Sequence, residues 1–240
     1  MIRDTNFQTP TKPGMNYIPC YRLPFLSLFH ADCMDIMKQY PDKYFDLAIV
    51  DPPYKNEFVI TASEKAAKVK KDYNLNSLNN CKPTSVYFNE LKRVSKNQII
   101  WGVNYYEYYL GAGRIIWDKD NTGVYSDCEL AYHSFSDVTR KFKWRWNGML
   151  QQDMKHKQER IHPTEKPIQL YEWLLNNYAN ENAKILDTHF GSGSIALAVD
   201  KANRLDKMNL HLTACEIDKE YIDKAIKRIS ESIKQGTLSF

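Results

Sequence analysis

The chain has 240 residues, 43% of them hydrophobic, which is enough for one substantial core and crowded for two full domains. With 33 basic against 29 acidic residues the formal charge is only +4, so the protein is not a polycation that coats nucleic acid indiscriminately, and any nucleic-acid surface must be local. Cys20, Cys33, Cys81, Cys128 and Cys215 are scattered, with neither a CxxC pair nor a Cys/His cluster at ligand spacing, so a reduced, cytoplasmic protein with no metal site is expected.

Along the chain, residues 1–25 contain Pro10, Pro13 and Pro19 and no long apolar run; they read as a surface arm, neither a signal peptide nor a membrane anchor. Short apolar runs at 26–30, 45–50, 98–101, 114–117, 129–134, 184–186 and 210–215 have the look of strands buried on both faces. Helical patterns lie between them at 33–39, 84–94, 167–178, 195–202 and 219–234. In the last of these, Tyr221, Ile222, Ala225, Ile226, Ile229 and Ile233 recur at helical spacing, with charged residues filling the other face. The alternation predicts an α/β fold, doubly wound around a mostly parallel seven-stranded sheet. Two polar, basic stretches, 55–82 and 137–161, break the pattern and are candidate substrate-facing segments.

The run at 45–50 ends directly on Asp51-Pro52-Pro53-Tyr54, which places the tetrapeptide at the carboxyl edge of the sheet, where open α/β folds bind ligands. Two prolines stiffen the turn and remove two backbone donors. The Asp51 carboxylate and the Pro52 carbonyl can then serve as paired acceptors beside the flat face of Tyr54. An aromatic amine suits such a site: two acceptors for its hydrogens rehybridise the nitrogen and aim its lone pair at an electrophile, without a covalent nucleophile. Read blandly, the tetrapeptide is a proline-rich strand exit with Asp51 as a turn residue.

Farther on, the run at 184–186 leads through Asp187, Thr188 and His189 into Phe190-Gly191-Ser192-Gly193-Ser194 and then a helix. Glycines here permit close backbone approach, and the helix N-terminus offers free N–H groups to an anionic ligand. Alone, this turn is a weak signal, since a tight strand-to-helix connection looks the same. A second strand strengthens it by ending on Glu216-Ile217-Asp218, about 25 residues past the glycines, where an acid can accept both hydroxyls of a ribose. For Glu216 and Asp218 the plainer role is capping the helix that follows.

Together these residues resemble the amino-methyltransferases that modify N6 of adenine or N4 of cytosine in DNA. The resemblance covers most of the chain. His30-Ala31-Asp32-Cys33 is similar to the family's segment that contacts the cofactor adenine, with Asp32 as acceptor for its amino group. His162-Pro163-Thr164-Glu165-Lys166-Pro167 resembles the HPTxKP element beside the methionine moiety, with Thr164 and Lys166 as polar contacts. The resemblance implies S-adenosylmethionine as cofactor, held by Asp32, Cys33, Asp51, Thr164, Lys166, Asp187, Phe190, Gly191, Ser192, Gly193, Ser194, Glu216 and Ile217. It assigns the chemistry to Asp51, Pro52, Pro53 and Tyr54. Because the catalytic tetrapeptide precedes the glycine turn, the order is that of the beta class, and a circularly permuted methyltransferase fold is implied. Thr188-His189 departs from the family, which more often has a proline before the glycines.

The implied substrate is a base extruded from double-stranded DNA and stacked on Tyr54. Asp51 as first residue of the tetrapeptide leans toward adenine N6, with cytosine N4 as the alternative. More distant readings are methylation of RNA or of a protein glutamine, and a non-catalytic DNA-binding or cofactor-sensing module. Residues 137–161 are expected to form a short target-recognition segment inserted between catalytic parts at 26–136 and 162–240. Between Arg140 and Arg160 seven Lys/Arg residues face two acids, with Phe142, Trp144 and Trp146 interleaved. Arg140, Lys141, Lys143, Arg145, Lys155 and Lys157 are the expected DNA contacts, although a charge run alone reads as a solvated edge strand. A segment of this size reads little of a duplex, which suggests a homodimer or a short target. No membrane partner is expected, and whether a restriction partner exists is not legible in the sequence.

Overall fold

A computed structural model of the chain describes residues 17–53, 82–121, 126–147, 150–158, 160–161 and 164–237. Tyr54, His162, Pro163 and the basic stretch within 55–82 fall outside the described residues, apart from Lys82 at its end. In chain order the elements are β1 (Tyr21–Leu23), β2 (Leu26–His30), α1 (Cys33–Met37), β3 (Phe45–Val50), α2 (Ser85–Val94) and β4 (Ser95–Trp101). After a 3-10 turn come β5 (Arg114–Asp118), β6 (Cys128–His133), β7 (Thr139–Lys143) and the two-residue strands β8 (Trp146–Asn147) and β9 (Leu150–Gln151). The chain closes with α3 (Ile168–Tyr178), β10 (Lys184–Asp187), α4 (Ser194–Leu205), β11 (His211–Glu216) and α5 (Lys219–Thr237). Every predicted strand and helix is present, within a few residues of its expected ends.

Among the described residues the main sheet has nine strands, in the order β1-β2-β11-β10-β3-β4-β6-β5-β7, where seven were expected. The two extra strands are its edges. Tyr21–Leu23, within the segment read as an arm, pairs antiparallel with β2, and Thr139–Lys143 pairs parallel with β5. Neither carries a continuous apolar run, because an edge strand lacks a neighbour on one side and its side chains are half-buried or exposed. Strands β2, β11, β10, β3 and β4 are mutually parallel, and only β6 runs against both its neighbours.

Helices cover both faces. Adjacent residues of each central strand point to opposite sides of the sheet. Leu47 and Ile49 of β3 join a cluster with Leu170, Leu174, Val199 and Ile229 of α3, α4 and α5, while Ala48 and Val50 join one with Ile36, Phe88 and Leu91 of α1 and α2. This explains the unbroken apolar runs, since neither face of the central parallel strands is open to water. Burying each Leu or Ile in this way contributes roughly 1.5–3 kcal/mol. The parallel strands also bring their carboxyl ends to one edge, so Asp32, Asp51, Asp187 and Glu216, far apart in sequence, leave the sheet side by side.

Candidate active site

Asp51 leaves β3 into a setting built by four strands. Its Oδ2 is bonded to Nζ of Lys166, whose side chain is 1% exposed. That ammonium also lies 3.3 Å from Oε2 of Glu129 at the start of β6, and its Nζ sits over the Trp101 ring, 5.3 Å from the centroid. Lys119, following β5, reaches the other Glu129 oxygen at 2.5 Å. Two cations and two carboxylates thus alternate: Asp51, Lys166, Glu129, Lys119. Burial opposes charge on every buried member, and for Glu129 and Lys166 the pairing decides. Against desolvation, Lys166 and Lys119 pull the Glu129 carboxyl down to about 2, and Asp51 and Glu129 hold the Lys166 ammonium above its usual range. Asp51 is less fully compensated: burial raises its carboxyl, and Lys166 only partly offsets that.

The second Asp51 oxygen, Oδ1, is buried and has no hydrogen-bond partner among the described residues. One oxygen is therefore anchored and the other is free to accept. The Pro52 carbonyl, the expected second acceptor, receives the Tyr106 hydroxyl at 3.1 Å, and that hydroxyl also lies 2.9 Å from the Trp101 carbonyl. A carbonyl has two lone pairs, so one remains.

Beside this carboxylate a cavity of about 300 Å³ opens along the ends of β2 and β11. Of the expected cofactor contacts, Asp32, Cys33, Glu216 and Ile217 line it, together with Pro53 of the tetrapeptide. Val86 and Tyr87 of α2 close the apolar side. Asp32 Oδ1 caps α1 by accepting the Met34 N–H at 2.7 Å, which leaves its other oxygen out of the cap. Glu216 accepts the Gly191 N–H through Oε2 at 2.9 Å, and the N–H groups of Ile217 and Asp218 through Oε1 at 2.9 and 3.0 Å. Asp218 accepts the Glu220 N–H at 2.8 Å and caps α5, the plainer of the roles open to it. A cavity with carboxylates at two corners and an apolar wall fits a ribonucleoside: Glu216 for the hydroxyls, Asp32 for a ring amine. Glu216→Ala is expected to weaken S-adenosylhomocysteine binding about tenfold to a hundredfold, read by isothermal titration, since a charge-assisted bond is worth ~1.5–3 kcal/mol.

The glycine turn lies next to that cavity. Gly191 and Gly193 have φ of +51° and +72°, which other residues rarely adopt, and a Cβ on Gly193 would come within 3.1 Å of the Phe190 ring. Phe190 is buried beneath the turn, and its N–H donates to the Cys215 carbonyl. Thr188 and His189, where the sequence departs from the family, have their own ties. The Thr188 hydroxyl bonds to the Tyr87 hydroxyl at 2.6 Å and to His189 Nδ1 at 2.9 Å, and burial lowers the His189 imidazole to about 4, leaving it neutral at pH 7. Arg228 of α5 binds the Ser192 carbonyl and the Ser194 hydroxyl and pairs with Glu165 at 2.9 Å, locking the turn to the segment that carries Lys166.

The cofactor set expected from the sequence is thus distributed over two layers. Lys166 meets Asp51, while Thr164 is exposed and does not line the cavity. Phe190, Gly191, Ser192, Gly193 and Ser194 shape the turn behind it, and Asp187 is buried with Oδ1 accepting the His189 N–H at 3.0 Å. Burial raises the Asp187 carboxyl to about 7, with Asp51 and Glu216 adding to the effect. In the unfolded chain an aspartate titrates near 3.9, so between about pH 4 and 7 the folded state binds the extra proton. Stability contributed by this group is full below about pH 4 and is lost as pH rises through 7. Asp187→Asn is expected to flatten that decline, as chemical denaturation at pH 5 and pH 8 will measure.

The basic segment departs from the free cationic face expected of it. Lys141 lies 3.6 Å from Asp118, Lys143 is 2.7 Å from Asp120, and Arg145 also pairs with Asp120. Arg140 has the strand parity of Phe142 and not that of Lys141 and Lys143, and Phe142 and Trp144 pack onto the core. Lys155 and Lys157 are exposed. Sequence reasoning missed Glu129, Lys119, Trp101, Tyr106, Glu165 and Arg228. For Glu129 a carboxylate opening an apolar run was a faint signal; for the others none existed before the strands were assembled.

Comparison with known proteins gives a consistent picture. Residues 117–227 match the N6/N4 methyltransferase family model, described as DNA methylase. The chain is 24% identical over 250 residues to the type II methyltransferase M1.MboII of Moraxella bovis, covering 82% of this chain and 94% of that protein. It is 25% identical over 202 residues to the putative methylase YubD of Escherichia coli K12, covering 72% and 79%. Among solved structures it resembles the PvuII DNA methyltransferase (cytosine-N4-specific), with a TM-score of 0.57 and 12% identity over 88% of this chain and 89% of that one. The crystal structure of the M1.HpyAVI-SAM complex gives a TM-score of 0.50 at 20% identity, over 85% of this chain and 99% of that one. These two structural likenesses establish a shared fold.

Proposed function

We infer, from the N6/N4 DNA methylase family to which residues 117–227 belong, that the whole chain is an S-adenosylmethionine-dependent DNA methyltransferase acting on an exocyclic amine. Adenine N6 in double-stranded DNA is its proposed target. One observation carries the reading: Asp51 has one oxygen anchored by buried Lys166 and the other buried and unpartnered, beside a cavity suited to a nucleoside. The cofactor, when bound, supplies the electrophilic methyl group. Asp51 Oδ1 and the remaining lone pair of the Pro52 carbonyl accept the two amine hydrogens and orient the nitrogen lone pair. Lys166 partly offsets the burial that raises the Asp51 carboxyl and fixes its orientation, so little reorganisation is needed during transfer. Tyr54 is proposed as the stacking platform for an extruded base.

Asp187 and the Phe190 to Ser194 turn support the cofactor cavity from behind, with Asp32, Cys33, Glu216 and Ile217 at its wall. The tetrapeptide precedes the glycine turn, which supports the permuted order. Arg140, Lys155 and Lys157 are the proposed phosphate contacts, while Lys141, Lys143 and Arg145 reach DNA only by giving up Asp118 or Asp120. A homodimer and a recognition role for 137–161 remain part of the proposal. Mass spectrometry of nucleosides from DNA incubated with the protein and S-adenosylmethionine tests it. N6-methyladenine is the expected product, N4-methylcytosine would transfer the activity to the other base, and unmodified DNA would overturn the reading.

A further inference from the structure

A second cavity, of about 190 Å³, shares no lining residue with the nucleoside cavity. Trp144, Trp146, Gln151, Asp153, His156 and Gln158, all following β7, enclose it together with Gln169 from the first turn of α3, and the Asp153 carboxylate is bonded to His156 Nδ1 at 2.8 Å. Its walls are firmly held. The Trp146 indole N–H donates to the Glu165 carbonyl at 2.9 Å, and the Trp144 ring stacks on Phe142 at an interplanar angle of 15°. Gln151 spends its whole amide on the Gln158 backbone, with two bonds of 2.8 Å.

What the cavity leaves unsatisfied points to a ligand. Oε1 of Gln158 and Oε1 of Gln169 are both buried without a partner among the described residues, and such acceptors carry a desolvation penalty that a donor would relieve. Indole surface and two carbonyl acceptors suit a planar heteroaromatic ring bearing an amino group, the means by which proteins hold unstacked bases. None of Asp51, Pro52 and Pro53 lines this cavity, and Lys166, whose ammonium is on Asp51, precedes Gln169 by three residues, so the amine held at Asp51 is not the one received here. Lys155 and Lys157 are exposed on the same segment, available to a phosphate backbone.

We propose that this cavity receives a second nucleobase with an exocyclic amine, a base of the bound DNA other than the one methylated, through Gln158, Gln169 and the Trp144 face. The inference rests on DNA being the substrate, but its test requires neither cofactor nor turnover. In ¹H–¹⁵N spectra of the full chain, with indole signals assigned through Trp144→Phe and Trp146→Phe, millimolar deoxyadenosine or deoxycytidine is expected to shift the Trp144 signal. Thymidine, which lacks the amine, is not. Gln169→Leu, or Gln158→Leu should the first fail to fold, is expected to weaken the response at least tenfold. No shift, or an equal shift with thymidine, overturns the proposal even where DNA methylation itself has been detected. Unmethylated DNA together with a selective shift would instead keep the cavity and remove the catalytic reading.

Discussion

Asp51→Ala is expected to lower methyl transfer by at least about 10²–10³-fold, the cost of losing one preorganised polar group at a reacting centre, while S-adenosylhomocysteine binding stays within a few-fold of the original. The two readouts separate because Asp51 does not line the nucleoside cavity, whose carboxylates are Asp32 and Glu216. Stability should fall only moderately, since Lys166 retains Glu129 at 3.3 Å and is not left as a lone buried charge. Asp51→Asn is the informative companion: it keeps an acceptor oxygen but removes the charge that Lys166 holds in place. Tritium-methyl incorporation at wild-type rate in Asp51→Ala would remove Asp51 from the chemistry, and in Asp51→Asn it would show that the acceptor oxygen suffices without the charge.

Lys166→Met should be the more destructive change. It leaves Asp51 without its cation and Glu129 with Lys119 alone, in a region where Lys166 itself is 1% exposed. Breaking a buried pair from one side typically costs ~3–5 kcal/mol, which for a chain of this size lowers Tm by roughly 10 °C. A second signature separates positioning from simple damage. Burial already raises the Asp51 carboxyl, and without Lys166 it rises further, so residual activity should require higher pH than in the wild type. Asp51→Asn combined with Lys166→Met should recover much of the lost stability and none of the activity. A thermal shift within 2 °C of wild type for Lys166→Met, read by differential scanning calorimetry, would show that the buried pair does not have the assigned strength.

Lys166 also shows where reasoning from sequence met its limit. The resemblance made it a contact for the methionine part of the cofactor, and the structure joins it to Asp51, 115 residues away. Both assignments draw on the same fact, that Lys166 follows a segment leading to α3. Only the packing of β3 beside β4, and of β4 beside β6, shows which anion lies within reach. The basic stretch behaved in the same way. Its charges were legible, but Asp118 and Asp120, which absorb three of them, sit on the neighbouring strand and its exit, and become partners only through the parallel pairing of β5 with β7.

Seven central strands, five helices, the exit of Asp51 from a buried strand, the glycine turn and the acid at the end of β11 can each be read from the chain before it folds. Each of these is a local pattern: an apolar run with a fixed period, a positive-φ glycine, or a residue placed directly after a strand. The two edge strands, the alternating chain from Asp51 through Lys166 and Glu129 to Lys119, and the Arg228 and Glu165 lock on the glycine turn arise only when the strands assemble. The physical reason is range. Periodicity and turn chemistry act over a few residues, whereas a buried charge takes its partner from whatever strand the sheet order brings within a few ångströms, and that order is set by the burial of the whole core.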